Sequence, residues 1–204
     1  MTAIRHVVFD IGNVLIRWDP ERLYRRLIPD DAERTAFLTE VCTHDWNLEQ
    51  DRGRSWTEAE AEAIARHPGR ADHIRAWRKD WHEMVTGPIE GSTAILEALI
   101  AAGHDVTALT NFAEDTFSEA QARFPFLTTF RAITVSGAIG LVKPDPAIYR
   151  HHVATHGLDT AATLFFDDMS ANIEAARKAD WNAELFVDAA TMRRDLARHG
   201  IALG

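Results

Sequence analysis

His6-Val7-Val8-Phe9-Asp10-Ile11-Gly12-Asn13-Val14-Leu15 opens the chain with a short apolar run, ends it on a carboxylate, and follows at once with glycine and asparagine. A run rich in β-branched and aromatic residues bounded by turn formers reads as a buried strand. In open α/β sheets, ligands gather at the carboxyl ends of strands, which is where Asp10 then falls. Three later segments are of the same kind: Val106–Asn111 (VTALTN), Gly140–Tyr149 (GLVKPDPAIY) and Thr163–Asn172 (TLFFDDMSAN). Two are apolar runs ending in polar residues, Thr110 with Asn111 and Asp167 with Asp168. The third carries Lys143 in an irregular, proline-flanked stretch.

Around these segments the pattern alternates. Apolar, β-rich runs at about 5–10, 105–110, 131–135, 163–167 and 182–187 are each followed by helix-period sequence, the signature of right-handed βαβ units. The expected fold class is α/β, a Rossmann-like three-layer sandwich on a parallel sheet. Ser92 before Ile95, Leu96, Leu99 and Ile100 predicts a helix that Gly103 stops, and Asp145-Pro146 predicts a capped start for another. Residues 17–88 break the alternation and read as several helices with no good strand. They are expected to form an inserted helical cap, leaving 1–16 plus 89–204 as the core. Asp19-Pro20 and Thr57-x-x-Glu60 mark two helix starts, and Gly87-Pro88 and Glu90-Gly91 the return. Trp18, Trp46, Trp56, Trp77 and Trp81 supply enough aromatic area for the insert to have a small core of its own.

Bulk properties narrow the function. With 204 residues, 46% of them hydrophobic, the chain can bury one good core plus an accessory lobe. A formal net charge of -9 opposes nucleic acid and anionic membranes as partners. Cys42 is the only cysteine, which rules out an internal disulfide and a cysteine-based metal framework. The start of the chain lacks the basic flank and long apolar stretch of a secretory signal, and Ala94–Ala102 is too short to span a bilayer. A soluble, cytoplasmic protein is expected. Its oligomeric state is open.

Asp10, Thr110, Lys143 and Asp167-Asp168, in that order and spacing, resemble the haloacid dehalogenase superfamily of aspartate-nucleophile hydrolases over most of the chain. FDIGNVL, LTN, KPDPAIY and FFDD look most like a bacterial branch of small phosphatases that includes an α-D-glucose-1-phosphate phosphatase. The resemblance implies a Mg²⁺-dependent hydrolase of small phosphomonoesters, with 17–88 as the cap over the site. Asp10 would be the nucleophile, forming an aspartyl-phosphate. Asp10, Gly12 through its carbonyl, Asp168 and Asp167 would hold the Mg²⁺. Thr110 and Lys143 would act on the phosphate, and Gly12, Asn13 and Asn111 would contact the substrate.

Elementary chemistry supports this reading. Phosphoryl transfer to a carboxylate needs a fixed nucleophile, positive charge on the non-bridging oxygens and a route for the leaving group's proton. Two adjacent acids after an apolar strand repel unless a cation neutralises them. Each residue alone has a plainer reading: Asp10 capping its own turn, Thr110 a turn residue, Lys143 a surface lysine, one of the acids capping a helix near Ser170. Asn172 fits either a water-orienting role or an ordinary first-turn position. His151-His152 read as helix-surface residues, and Glu58, Glu60 and Glu62 as a solvated face.

One departure stands out. Phosphatases of this superfamily usually carry a second aspartate two residues after the nucleophile as general acid and base, and here that position is Gly12. His44, Glu49 and Asp51 of the insert are candidate replacements. The alternative enzyme is a 2-haloacid dehalogenase, which uses the same aspartate on carbon, without metal and without an acid at Gly12. Asp167-Asp168 opposes it, because an uncompensated acidic pair repels a carboxylate substrate and a halide. A phosphate-binding homologue without turnover is the third reading.

Overall fold

Alternation within β1 (His6–Phe9) sets the layers: Val7 and Phe9 join the apolar cluster on one side of the sheet, and Val8 joins the cluster on the other. The computed structural model describes residues 2–203. After β1 come β2 (Ile16–Trp18) and six helices, α1 (Pro20–Leu27), α2 (Asp31–Ala36), α3 (His44–Asp51), α4 (Trp56–Arg66), α5 (Ala71–Lys79) and α6 (Trp81–Met84). The chain returns through β3 (Val85–Pro88) and continues as α7 (Glu90–Ala101), β4 (Asp105–Thr110), α8 (Glu114–Arg123), β5 (Ala132–Val135) and α9 (Ser136–Ile139). It closes with α10 (Pro146–His156), β6 (Thr163–Asp167), α11 (Ser170–Lys178), β7 (Asn182–Leu185) and α12 (Ala189–Arg198).

β5, β4, β1, β6 and β7 form a five-stranded sheet in that order, all parallel. Helices α7, α8 and α12 supply Leu96, Phe117 and Leu196 to the Val7/Phe9 side, and α10 and α11 supply Tyr149 and Ile173 to the Val8 side. The α/β three-layer arrangement is therefore present, with every expected core strand in the sheet. The central strands β1 and β6 are buried on both faces, as continuous apolar runs in parallel sheets require.

The stretch expected to hold no strand contains one and borders another. β2 and β3 pair antiparallel, Arg17 opposite Gly87, with an irregularity between Arg17 and Trp18. Strands of three and four residues, the second carrying glycine and proline, have no period-two signal to read. They form the neck through which the chain leaves and re-enters the core, reinforced by Ile89 N–H to the Leu15 carbonyl at 2.8 Å and Asp19 N–H to the Met84 carbonyl at 2.9 Å. Gly87-Pro88 accordingly lies within β3, and Glu90-Gly91 and Ser92 lie in the first turn of α7.

Two other local expectations shift. The capping box is Ser55-x-x-Glu58: Ser55 Oγ accepts from the Glu58 N–H at 3.3 Å and donates to the Glu58 carboxylate at 2.8 Å. Asp145 does cap α10, accepting from Ala147 N–H at 2.8 Å. The tryptophans do not form a separate core. One apolar cluster runs from Phe9 and Phe166 through the neck into Tyr24, Phe37, Trp77 and Trp81, and the Trp81 and Phe112 rings lie 5.8 Å apart across the junction. No described helix is long and apolar enough to cross a membrane.

His152 is fully buried and not on the surface. It shares the inward stripe of α10 with Ile148 and Tyr149, one turn away, and hydrogen-bonds Thr107 at 3.0 Å and Thr134 at 2.7 Å. Burial, with help from His156 and Arg131, lowers its pKa from the usual 6.5 to about 3. Above 6.5 folded and unfolded chains both hold it neutral; between 6.5 and 3 only the unfolded chain takes the proton, so stability falls as pH falls through that window. The expected contribution is about 1.4 kcal/mol per pH unit within it. Urea midpoints from pH 7 to pH 5 should therefore fall less steeply for His152→Gln than for the native protein, and parallel slopes would refute the assignment.

Candidate active site

Register brings the expected residues to one edge. Phe9 lies level with Ala108 on one side and with Phe166 on the other, so Asp10, Thr110 and Asp167 emerge together at the carboxyl ends of β1, β4 and β6. Asp10 is fixed by its own N–H to the Phe166 carbonyl at 2.9 Å and by the Ile11 N–H to its Oδ1 at 2.7 Å. The turn that follows is tight, with Leu15 and Ile16 both donating to the Ile11 carbonyl. Asn13 adopts a left-handed φ of 52°, which asparagine tolerates, and its Oδ1 accepts from Trp18 N–H at 2.9 Å. Gly12 has no positive φ, and a Cβ there would meet nothing within 4 Å.

Lys143 is buried between two acids, its Nζ 2.9 Å from Asp10 Oδ1 and 2.7 Å from Asp167 Oδ2. Asn111 holds it there by its backbone: Asn111 Nδ2 donates to the Lys143 carbonyl at 2.9 Å, and Lys143 N–H donates to Asn111 Oδ1 at 2.8 Å. The Asn111 side chain, expected to contact substrate, is thus committed to positioning the lysine. Asp167 is equally committed. It accepts from Lys143, from Asn172 Nδ2 at 2.9 and 3.0 Å and from Met169 N–H at 2.8 Å. Asn172 in turn is held by Tyr149, whose hydroxyl donates to its carbonyl at 2.9 Å.

Electrostatics follow from this burial. Burial raises the Asp10 pKa; Lys143 opposes, Asp167 and Asp168 add to the rise, and the result is about 7. Burial alone would depress Lys143, but Asp10 and Asp167 outweigh it and hold the ammonium above its ordinary value. Asp168 is raised by burial first and by Asp167 second. Asp10, Asp167 and Asp168 each offer an oxygen, all within 4.8 Å of one another, against a single ammonium. Hard oxygen donors with excess negative charge fit a small divalent cation. Asp168 is half-buried and on the pocket wall, whereas the oxygens of Asp167 are already engaged. Thr110 Oγ1 is buried without a hydrogen-bond partner, a cost of about 1–3 kcal/mol.

A pocket of about 290 Å³ lies between this edge and the helical insert. Trp18, Leu48, Trp56, Trp81 and Val85 wall its insert side. Tryptophans assigned from sequence to packing thus also shape the pocket, a double use that residue type alone cannot reveal. Of the three candidate acids, His44 and Asp51 reach it, whereas Glu49 does not and pairs instead with Arg52 at 3.5 Å. A larger, more open groove of about 680 Å³ runs along the outer seam of insert and core. Its arginines are paired, Arg78 with Asp115 and Glu119 and Arg54 with Glu62, and none of the strand-end acids lines it.

A parallel sheet with acids and a lysine converging at its carboxyl edge beneath a helical insert defines an α/β protein built around a strand-end carboxylate site. The chain belongs to the haloacid dehalogenase-like hydrolase family, whose model matches residues 48–184. Thr110, Lys143 and Asp167-Asp168 lie inside the matched stretch; Asp10 lies before it. Solved structures agree in fold. A HAD-like family hydrolase of Porphyromonas gingivalis has TM-score 0.73 at 20% identity, covering 97% of this chain and 98% of its own. A HAD family enzyme of Bacteroides thetaiotaomicron in complex with magnesium and inorganic phosphate has TM-score 0.69 at 21% identity, covering 91% and 96%. L-2-haloacid dehalogenase of Xanthobacter autotrophicus with chloropropionic acid covalently bound has TM-score 0.64 at 21% identity, covering 98% and 85%.

The buried ion pairs generate a stability prediction. Removing one partner of a buried pair costs about 3–5 kcal/mol, because the remaining charge is left without compensation. Lys143→Met leaves Asp10 and Asp167 facing each other, whereas Asp10→Asn removes one of three mutually repelling carboxylates. In metal-free buffer Lys143→Met should lower the urea midpoint far more than Asp10→Asn does. Equal losses would mean that Lys143 does not carry the electrostatic balance of the site.

Proposed function

We propose that this protein is a Mg²⁺-dependent hydrolase of small phosphomonoesters, with Asp10 as nucleophile. The observation that carries the reading is the convergence of Asp10, Asp167 and Asp168 within 4.8 Å around one lysine. A dehalogenase would set the same three acids, offset by one lysine, against an anionic substrate. Bound Mg²⁺ would be held by Asp10, Asp168 and the Gly12 carbonyl, and would supply positive charge to the phosphoryl oxygens.

The chain's own groups divide the remaining work. Lys143 opposes the rise that burial imposes on the Asp10 pKa and lends its charge to the phosphate, and Thr110 gives its unpaired hydroxyl to a phosphate oxygen. A carboxylate oxygen of Asp10 forms the bond to phosphorus as the ester oxygen departs with its electron pair, and water then cleaves the aspartyl-phosphate to phosphate and free Asp10. The pocket volume suits a small alcohol. Tryptophan walls suit a ring, sugar or aryl, which supports esters such as sugar 1-phosphates, in keeping with the resemblance to the glucose-1-phosphate phosphatase branch.

The deciding assay is p-nitrophenyl phosphate with and without Mg²⁺, run beside chloride release from L-2-chloropropionate. Phosphate release that is lost in excess EDTA and restored by Mg²⁺ is expected. Asp168→Asn should raise the Mg²⁺ concentration needed, and Asp10→Asn should abolish turnover with the fold intact, since an amide is a poor nucleophile. Chloride release without metal, or phosphate release undiminished by EDTA, would overturn the proposal.

A further inference from the structure

We propose that Asp51, at the end of α3 in the helical insert, is the general acid and base that the turn after Asp10 lacks, protonating the departing ester oxygen and then taking a proton from the attacking water. The inference rests on the phosphatase reading of the site and adds a residue to it.

A census of the pocket leads here. Its titratable lining groups are Asp10, His44, Asp51, Lys143 and Asp168. Asp10, Lys143 and Asp168 are taken by the nucleophile, its partner and the cation site. His44 stands at the mouth with its side chain 75% exposed, paired with Asp45 at 3.6 Å. A proton donor to the leaving group must come from the side of the pocket where that group sits, and Asp51 is the acid of the insert that reaches it without being largely solvated.

Asp51 is also held as a working carboxyl must be. Trp77 Nε1 donates to Asn47 Oδ1 at 2.9 Å, which fixes the amide so that Asn47 Nδ2 donates to Asp51 Oδ2 at 3.0 Å. The backbone N–H of Ala113, at the start of α8, faces the same carboxyl and favours its charged form. Ser136 Oγ donates to the Asp51 carbonyl at 2.5 Å. Insert and core therefore both grip this residue. Burial raises its pKa to about 7, against the Ala113 N–H, the Lys143 charge and Asn47, so both protonation states are populated near neutrality, where a general acid–base group works best.

The step balances. As Asp10 forms its bond to phosphorus and the P–O ester bond breaks, the electron pair goes to the ester oxygen, the Asp51 proton joins it, and the alcohol leaves with Asp51 ionised. Water then attacks the aspartyl-phosphate, gives one proton to Asp51, and the bond between phosphorus and Asp10 breaks. Phosphate is released and both aspartates return to their starting states.

The competing role for Asp51 is purely structural, as a peg between α3 and the start of α8, and a leaving-group series separates the two. The measurement is kcat/KM for p-nitrophenyl phosphate, whose leaving oxygen needs little protonation, and for glycerol 2-phosphate, whose leaving oxygen needs it fully. Asp51→Asn should lower the alkyl ester about 10²–10⁴-fold and the aryl ester by no more than about tenfold. Asn47→Ala, which leaves the carboxyl but not its support, should give a smaller loss of the same selective kind and guards against misfolding of the first variant. Gly12→Asp, for which the turn has space, should restore alkyl turnover in the Asp51→Asn background. Equal losses on both esters, no loss on either, or no rescue would overturn the role of Asp51 and leave the phosphatase reading standing. A native protein inert toward both esters in Mg²⁺ would overturn that reading and this inference with it.

Discussion

Lys143, buried between Asp10 and Asp167, is the contact on which the rest of the site depends. Burying three charges costs several kcal/mol each in lost hydration, and mutual attraction offsets that only with close geometry and fully used hydrogen-bonding capacity. The chain meets the condition with residues far apart in sequence. Asn111 pins the lysine's backbone from the end of β4, Asn172 and Met169 complete Asp167 from the start of α11, and Tyr149 anchors Asn172 from α10. Each support stands on the rigid sheet or on a helix packed against it. What the protein keeps in return is an aspartate beside a fixed positive charge in a place water barely enters, which is what a carboxylate nucleophile requires.

The helical insert is joined to this centre by packing as well as by the neck. A continuous apolar cluster links the sheet to the tryptophans, and α3 is tied to the core through Asp51 and Ser136. Surface ion pairs across the seam, such as Arg78 with Asp115, each add little. The insert and the strand-end site thus share one hydrophobic interior, so a change in the insert's packing is felt at the pocket wall.

Legibility in the sequence followed the strength of the local pattern. The central strands β4, β1 and β6 were readable as apolar runs, and Asp10, Lys143 and the acidic pair were readable because polar residues at such strand ends conflict with packing unless they have a use. The neck strands β2 and β3 were not, being too short for periodicity. His152 was misread by type, although the spacing from Ile148 places it inward. Asn111 and Asp167 look like ligand-binding residues in sequence, and that they also hold Lys143 depends on hydrogen bonds formed across 32 and 24 residues of separation. Choosing among His44, Glu49 and Asp51 needed three dimensions outright. The three lie within eight residues, and helical phase plus the approach of α8 decides which of them meets the pocket.

Moving the proton donor from the turn after Asp10 to α3 has a structural consequence. A carboxyl at position 12 would ride on the same rigid turn as the nucleophile, whereas Asp51 rides on the insert and meets the core through the Ala113 N–H and Ser136. Its placement over the reacting bond then depends on how the insert sits. Bonds to both parts keep it from drifting: Asn47 and Trp77 hold it from one side, α8 and α9 from the other. An acid supplied this way is in position only when insert and core are together, which is also when the tryptophan walls enclose the alcohol. Proton transfer and enclosure of the leaving group would then be set by the same contact, a coupling that an acid on the turn could not provide.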